Sequence, residues 1–344
     1  MRQKILEISD LSYRYEESQQ NILSNFSFSI TEGQIISLLG ESGTGKTTLL
    51  RLISGTENPQ SGTIKIYGKK VSSNGKSLVL PEKRNISVMF QEFALFPHLT
   101  IAQNISFSLL NKTNKEVTRI VNKTLKIVGM SKYSDKYPYE LSGGQQQRAS
   151  LARAIAPNPK LILMDEPFSH LDINLRDKLR DETLHIIKEI GCSALIVTHN
   201  PQEAMFMSDE ILLIDGGNVL QKGTPKDLYF NPVNQFIANF FGDVNVIPAK
   251  IQNKKAITAI GEFKTKLDDK ENAKVVIRSE AIKLKKDLNS KNVIVAIKNL
   301  GIMDLIHVDC VDGIHLHCNV DNMHDFEVGD SVAINFNKKL VFVY

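Results

Sequence analysis

The chain has 344 residues, of which 42% are hydrophobic and 23% are charged, enough apolar material for two globular domains. Its net charge of +4 is too balanced to indicate a nucleic-acid or membrane-surface partner. Three cysteines exclude a disulfide framework and fit a reducing compartment. No run approaches the ~20 apolar residues that span a bilayer. Segment 1–7 reaches an acidic residue at Glu7 and lacks the apolar core of a secretory signal. We therefore expect a cytosolic chain that crosses no membrane by itself.

Short apolar runs alternate with helical stretches through the first two thirds of the chain. The runs at 35–39, 161–164 and 194–197 consist mainly of Ile, Leu and Val. Continuous apolar runs separated by helices are typical of parallel strands covered on both faces. The sequence therefore predicts an α/β fold, with a helix over 46–53 that Gly55 ends.

The pattern changes after Asn231 and Pro232. Short strand-like runs at 275–277, 293–297 and 332–334 are separated by turns rich in Lys and Asn. This pattern indicates a small all-β, barrel-like domain. We place the boundary near residue 235, which gives domains 1–235 and 236–344.

A phosphate-binding loop is predicted at 40–47, where the residues fit G-x-x-x-x-G-K-[ST] between an apolar run and a helix. Its backbone N–H groups and the helix N-terminus would bind phosphates. Lys46 would contact the β- and γ-phosphates, and the Thr47 hydroxyl would bind Mg²⁺. The alternative is a plain glycine turn with a surface lysine. The predicted ATP contacts are Gly40, Glu41, Ser42, Gly43, Thr44, Gly45, Lys46, Thr47 and Thr48.

Two carboxylates follow the apolar run at 161–164. The carboxyl ends of parallel strands form the ligand-binding edge of such sheets. We expect Asp165 to hold Mg²⁺, and Glu166 to orient or deprotonate the attacking water. A helix cap is the alternative for an isolated Asp–Glu pair.

Residues 141–148, Leu-Ser-Gly-Gly-Gln-Gln-Gln-Arg, resemble the signature of ABC ATPases. Ser142 can cap the helix that follows, with Gln145 at the capping-box position. The resemblance implies an ABC nucleotide-binding domain with a helical subdomain. It also implies a homodimer that encloses ATP between its subunits. In that dimer Ser142, Gly143, Gly144 and Gln145 would contact the γ-phosphate of the partner's ATP.

Other residues resemble family positions in the expected order. Gln91 resembles the glutamine that senses Mg²⁺ and the attacking water, and His199 resembles the histidine that contacts the γ-phosphate. Ser169 and Asp172 lie in a segment resembling the loop that crosses between subunits. Tyr15 lies where the family places an aromatic on adenine, and Tyr13 is close to it.

Two residues depart from the family pattern. His170 replaces a small residue, and Asn200 replaces the usual Asp. Neither change removes a phosphate or metal ligand, so the expected chemistry is unaffected.

The second domain resembles the regulatory β-barrel, of OB or TOBE type, carried by importer ATPases. Residues 277–282 resemble its I-R-P-E segment, with Ser279 in place of Pro. The first domain also resembles ferric iron importer ATPases, through segments 90–92, 95–100, 137–141 and 157–159. Polyamine, sulfate and maltose importers share this architecture.

The resemblance implies an ATPase coupled to transport, a ferric iron translocase. It would act with a membrane permease and, indirectly, an extracellular solute-binding protein. The subunit would lie on the cytoplasmic face of the inner membrane, held there by the permease. A small-molecule kinase and a non-transport ABC ATPase are the alternatives from other classes. The signature at 141–148 argues against a small-molecule kinase. The second class has two nucleotide domains or long heptad arms, which this chain lacks.

We interpret the segment after Gln91 as helical and as the docking surface for the permease, through Phe93, Leu95, Phe96 and Pro97. Local core packing is the alternative.

The second domain contains a histidine-rich hairpin. The three-residue loop 311–313 predicts a register that places His307 opposite His317 and Asp309 opposite His315. Cross-strand histidines could share a divalent metal ion. A solvated or dimer-contacting polar face, with Cys310 and Cys318 buried, is the alternative.

Overall fold

The computed structural model describes residues 3–16, 20–109 and 112–344. Met1 and Arg2, part of the N-terminal segment considered above, lie outside the described residues. The chain divides into two compact units, 1–225 and 226–344, which are described separately.

The first unit contains two sheets and a set of helices. Its strands are β1 (Lys4–Tyr13), β2 (Leu23–Thr31), β3 (Ile35–Leu39), β4 (Ser61–Ile66), β5 (Lys69–Ser73), β6 (Lys76–Ser77), β7 (Ser87–Met89), β8 (Leu161–Asp165), β9 (Ser193–Thr198), β10 (Glu210–Asp215) and β11 (Asn218–Gly223). Its helices are α1 (Lys46–Ser54), α2 (Ile101–Ser106), α3 (Asn114–Ile127), α4 (Gly143–Ile155), α5 (Ile173–Glu189) and α6 (Pro201–Met207).

The larger sheet has the order β11-β10-β3-β9-β8-β7 and is parallel except for β11. Every residue of β3, β8 and β9 is buried, which explains their continuous apolar sequences. The predicted parallel α/β arrangement is confirmed. Because these strands run in the same direction, the segments that follow them meet at one edge. The second sheet, β2-β1-β4-β5-β6, is antiparallel.

Helix α1 is fixed at its C-terminal end by a buried arginine. Arg84 Nη1 donates hydrogen bonds to the carbonyls of Leu52, at 3.1 Å, and Ile53, at 2.7 Å. Its Nη2 donates to the Ser72 hydroxyl at 2.9 Å. These bonds satisfy carbonyls that a helix end leaves unpaired, and they join α1 to the antiparallel sheet. Gly55, with φ +90°, ends the helix as predicted.

The second unit is all-β apart from short helices, as predicted. Helices α7 (Pro225–Phe230) and α8 (Gln235–Phe240) precede its strands. The strands are β12 (Val244–Gln252), β13 (Lys255–Thr258), β14 (Gly261–Lys264), β15 (Lys270–Arg278), β16 (Ile282–Lys286), β17 (Val293–Asn299), β18 (Met303–Asp309), β19 (His315–Asp321), β20 (Val332–Phe336) and β21 (Val341–Val343). They form the sheets β14-β13-β12-β15-β21, β16-β20 and β17-β18-β19.

Arg278, in the segment that resembles the family's I-R-P-E motif, is completely buried. Its guanidinium donates to the carbonyls of Tyr229, at 2.9 Å, and Ala238, at 3.1 Å. It also lies 3.8 Å from the Tyr229 ring centroid, a cation–π contact. The motif residue therefore holds α7 and α8 against the strands of this unit.

The histidine hairpin has the predicted register. His307 pairs with His317, and Asp309 pairs with His315. The two paired imidazoles stack with ring centroids 4.4 Å apart, and Cys310 and Cys318 are buried. Among the described residues, no group of three or more His, Cys, Asp or Glu side chains that could hold a metal ion occurs. The structure therefore gives the metal hypothesis no support, and it stays a prediction.

The segment after Gln91 is not helical, contrary to our prediction. Phe93 and Ala94 have φ values of +60° and +48°, which a right-handed helix does not allow. The carbonyl of Phe93 accepts hydrogen bonds from Ser150 and Arg153. The Phe93 side chain is buried in the core, so it cannot belong to a docking surface. Leu95 and Phe96 are half-buried, and Pro97 is exposed.

Candidate nucleotide-binding and hydrolysis site

The phosphate loop joins β3 to α1. Gly45 is the N-cap of α1 and has φ +92°. A Cβ at this position would lie 2.6 Å from Ile22 Cγ2 and 3.0 Å from the Ile22 carbonyl. With no side-chain cap from Gly45, the first N–H groups of α1 are available to an anion.

Lys46 lies inside this loop and is buried. Its Nζ donates to the carbonyls of Gly40, at 2.9 Å, and Glu41, at 2.6 Å. Burial lowers the pKa of Lys46, and the nearby carboxylates of Glu166 and Asp165 raise it. The loop therefore holds an ammonium group where an anion bound to the backbone would meet it.

Thr47 and Asp165 bring two hard oxygen ligands together. The Thr47 hydroxyl donates to Asp165 Oδ1 at 3.1 Å. Burial raises the pKa of Asp165, and the charge of Glu166 adds to this effect, whereas the Thr47 hydrogen bond and Lys46 lower it. A divalent cation would offset the cost of burying the charged Asp165 carboxylate. A hydroxyl with a carboxylate is a donor set that Mg²⁺ prefers. The residues present therefore fit Mg²⁺.

Glu166 and His199 form the next contact along this edge. His199 Nδ1 lies 3.0 Å from Glu166 Oε1. The backbone of Glu166 has φ +43°, and its N–H donates to the Val197 carbonyl at 2.9 Å. A left-handed conformation at a residue other than glycine costs about 1–2 kcal/mol and occurs often at functional sites. It aims the carboxylate beside His199, at the end of β9.

Tyr15 lies next to the phosphate loop. Its hydroxyl is 3.0 Å from Thr48 Oγ1, and its half-buried ring packs edge-on against Tyr13 at 5.1 Å. Tyr13 is buried and donates to Glu57 at 3.1 Å. Burial, together with Glu57, raises the pKa of Tyr13 to about 12. Of the two rings, that of Tyr15 is the more accessible to a base.

Gln91 is exposed and follows β7 by two residues. Strand β7 is parallel to β8, with Met89 opposite Met164. Gln91 therefore extends from the same sheet edge as Asp165.

The signature residues begin helix α4. Ser142 is the N-cap, and its N–H donates to Gln145 Oε1 at 3.0 Å, as the capping-box pattern predicts. Ser142 and Gly143 are exposed. A Cβ at Gly144 would lie 2.7 Å from Leu175 Cδ2, so glycine allows α4 to pack closely on α5.

The signature lies beside the predicted subunit-crossing loop. A Cβ at Gly143 would lie 3.7 Å from Leu171 Cδ2 and 3.9 Å from the His170 carbonyl oxygen, while the Ser169 hydroxyl donates to the Glu166 carbonyl at 3.0 Å. Asp172 is exposed at the N-cap of α5. Within the described residues, no hydrogen bond or ion pair links 141–148 to 40–47.

Sequence reasoning missed Glu203, a carboxylate only 3% exposed that borders the same region. Its N–H donates to Asn200 Oδ1 at 3.1 Å, the N-cap bond of α6. The available signal was an N-cap residue followed three positions later by Glu, the capping-box spacing.

None of the helices in the described part of the chain is both long and apolar enough to cross a membrane.

We predict that Gly45→Ala weakens ATP binding about tenfold or more, because the new methyl collides with Ile22 and disturbs the loop. Gly33→Ala is the matched control, since Gly33 also has positive φ but has nothing within 4 Å of its Cβ position. Both substitutions carry a strain of about 1–2 kcal/mol. Titration with a fluorescent ATP analogue measures the affinity. Equal affinities for both variants and the wild type would contradict the assignment of the loop.

Comparison with known proteins agrees with this geometry. Residues 23–169 match the model of the ABC transporter family. A spermidine/putrescine import ATP-binding protein from Mesorhizobium japonicum is 38% identical over 335 residues, covering 92% of this chain and 91% of that protein. An Fe(3+) ions import ATP-binding protein from Haemophilus influenzae is 36% identical over 352 residues, 98% of each chain. A solved dimeric ATP-binding cassette, MJ0796 in a post-hydrolysis state with ADP and Pi, aligns with a TM-score of 0.56. It is 28% identical and covers 64% of this chain and 99% of that one. The chain therefore belongs to the ATP-binding protein family of ABC transporters.

Proposed function

We propose that this chain is the ATP-hydrolysing subunit of a bacterial ABC importer and that it powers solute uptake through a separate permease. The observation that carries the proposal is the convergence of three groups at one sheet edge. These groups are the buried Lys46 in its loop, the Thr47–Asp165 oxygen pair and the Glu166–His199 contact.

The proposed chemistry is attack of water on the γ-phosphorus of ATP, with breakage of the bond to the β–γ bridging oxygen. Lys46 and the loop N–H groups hold the phosphates, and Tyr15 stacks on adenine. Glu166 accepts the proton of the attacking water, and His199 holds the γ-phosphoryl group. Thr47, Asp165 and Gln91 would hold Mg²⁺. When bound, this ion supplies positive charge to the phosphate oxygens.

The proposed assembly is a homodimer in which Ser142, Gly143, Gly144 and Gln145 of one copy face ATP held by the other. Two observations support it. Ser142 and Gly143 are exposed, and no hydrogen bond or ion pair between described residues links the signature to the phosphate loop of the same chain. The related ADP-bound cassette is also dimeric. Ser169 and Asp172, beside the signature, would contact the partner.

The proposed solute is ferric iron, and a polyamine is the alternative. The relatives' names support both, and their identities to this chain, 36% and 38%, do not separate them. Sulfate and sugars remain further alternatives.

We assign 1–235 to the nucleotide-binding domain and 236–344 to a regulatory domain. The subunit would associate with the cytoplasmic face of the inner membrane through its permease. A non-transport ABC ATPase, the alternative from another class, would not co-purify with a permease.

We predict that Glu166→Gln binds ATP but hydrolyses it about 10²- to 10⁴-fold more slowly, because the amide keeps the shape of the side chain and cannot accept the proton. Phosphate release measures hydrolysis, and a fluorescent ATP analogue measures binding. Near-normal turnover in this variant would remove Glu166 from its proposed role.

A second prediction separates the two nucleotide-contacting surfaces. Ser142→Arg should abolish hydrolysis while leaving the ATP affinity of the monomer nearly intact, since Ser142 acts on the partner's nucleotide. Lys46→Ala should weaken ATP binding itself, because Lys46 contacts the nucleotide of its own chain. The same binding and phosphate-release assays measure both variants. If the two variants lose ATP binding equally, the two-copy site is wrong for this chain.

The solute is tested on the cognate extracellular binding protein, which determines what the transporter accepts. We expect calorimetric titration of that protein to give heat with ferric iron and none with spermidine, putrescine or sulfate. Heat with a polyamine alone would overturn the iron assignment and leave the ATPase assignment unchanged.

A further inference from the structure

Glu203 is a buried carboxylic acid that lines the same small cavity as His199. Its side chain is 3% exposed, and its Oε1 is buried with no hydrogen-bond partner. Burial raises the pKa of Glu203 to about 7. A hydrogen bond from the Thr198 hydroxyl opposes this shift, as do the charges of Arg180, Arg176 and His199. An apolar side chain would fit this position at lower cost, so stability alone does not explain the glutamate.

Glu203 contacts both neighbours of His199. The Thr198 hydroxyl lies close enough to the Glu203 carboxylate to lower its pKa, and the same hydroxyl accepts the Asn200 N–H at 3.0 Å. On the other side, the Glu203 N–H donates to Asn200 Oδ1 at 3.1 Å. The bond to Asn200 comes from the backbone of Glu203 and would persist with any side chain at this position. The Glu203 side chain itself therefore acts on the backbone that carries His199 through Thr198.

The same residue borders the proposed hydrolysis site. Glu203 lines a small cavity of about 60 Å³ together with Glu166, Ser169, Arg176 and His199. On α5, Arg180 also faces it, and its guanidinium packs over the Phe206 ring at 5.6 Å. Few atoms separate the Glu203 side chain from the Glu166–His199 contact, so a change in this side chain can alter that contact.

We propose that Glu203 is a positioning residue whose carboxylate, through Thr198, fixes His199 against the γ-phosphate. This role rests on the ATP hydrolysis proposed above. His199 is itself aligned by its 3.0 Å contact with Glu166. Misplacement of such a group by about 1 Å can cost about 100-fold in rate. The protein then keeps a buried carboxyl group that lowers its stability because this group has a function.

The test compares Glu203→Leu and Glu203→Gln in the full-length chain, with Glu189→Gln as the control at an exposed position at the end of α5. We expect Glu203→Leu to lower kcat by about 10- to 100-fold with little change in KM, because His199 acts on the γ-phosphate. Glu203→Gln retains an oxygen that accepts the Thr198 hydrogen bond, so it should restore most of kcat. Glu189→Gln should behave as the wild type.

Thermal melting separates a positioning role from a structural one, because replacing a structural residue would lower the melting temperature. A carboxyl group with a raised pKa favours the folded state less as pH rises through its folded-state pKa, here about 7. Glu203→Leu should therefore melt above the wild type at pH 8.5, by a margin that shrinks towards pH 5.5. A slower variant with a higher melting temperature supports positioning.

Two results would overturn the role of Glu203. One is a wild-type kcat in Glu203→Leu. The other is parallel loss of kcat and of melting temperature in both Glu203 variants, which would indicate a structural residue. Absence of hydrolysis in the wild type and in Glu189→Gln would instead overturn the proposed function.

Discussion

Lys46 and Asp165 are opposite charges buried close together, and the candidate site depends on their balance. Burial alone would lower the pKa of Lys46 and raise that of Asp165, and each charge offsets part of this cost for the other. Glu166 adds a second negative charge at the same edge. A bound triphosphate would meet the ammonium, and a divalent cation would meet the carboxylate. Nucleotide and Mg²⁺ together therefore suit this arrangement better than either does alone.

The parallel sheet holds these charges in place. Strands β3, β8 and β9 are buried along their whole length, and their mutual register places the phosphate loop beside Asp165 and Thr198. Arg84 anchors the far end of α1 by satisfying its terminal carbonyls. Lys46 and Thr47 thus extend from a helix fixed at both ends. This rigidity is what a site that binds phosphate by geometry requires.

Local features of the sequence were enough to predict much of this arrangement. The apolar runs identified the parallel strands, and the phosphate-loop spacing identified the turn between β3 and α1. The three-residue loop 311–313 also gave the register of the histidine hairpin, because turn length fixes which residues face each other. In each case the determining contacts lie close together in sequence.

Other features depend on contacts between distant segments and leave no periodic signal. Arg84 and Arg278 are charged residues that a sequence pattern assigns to the surface, yet both are buried against backbone carbonyls. The segment after Gln91 is a loop and not the predicted helix, because Phe93 has a positive φ and its side chain is buried in the core. Glu203 carries no sequence signal beyond its capping-box spacing, because its significance lies in burial beside His199.

The proposed mechanism depends on ATP enclosed between the phosphate loop of one copy and the signature of another. Light scattering of full-length Glu166→Gln, with and without ATP and Mg²⁺, tests it most directly. One chain has a mass of 38.5 kDa. We expect the measured molecular mass to be that of one chain without nucleotide and that of two chains with ATP and Mg²⁺. Slow hydrolysis in this variant keeps the ATP-bound homodimer closed. A single chain mass under saturating ATP and Mg²⁺ would contradict the account.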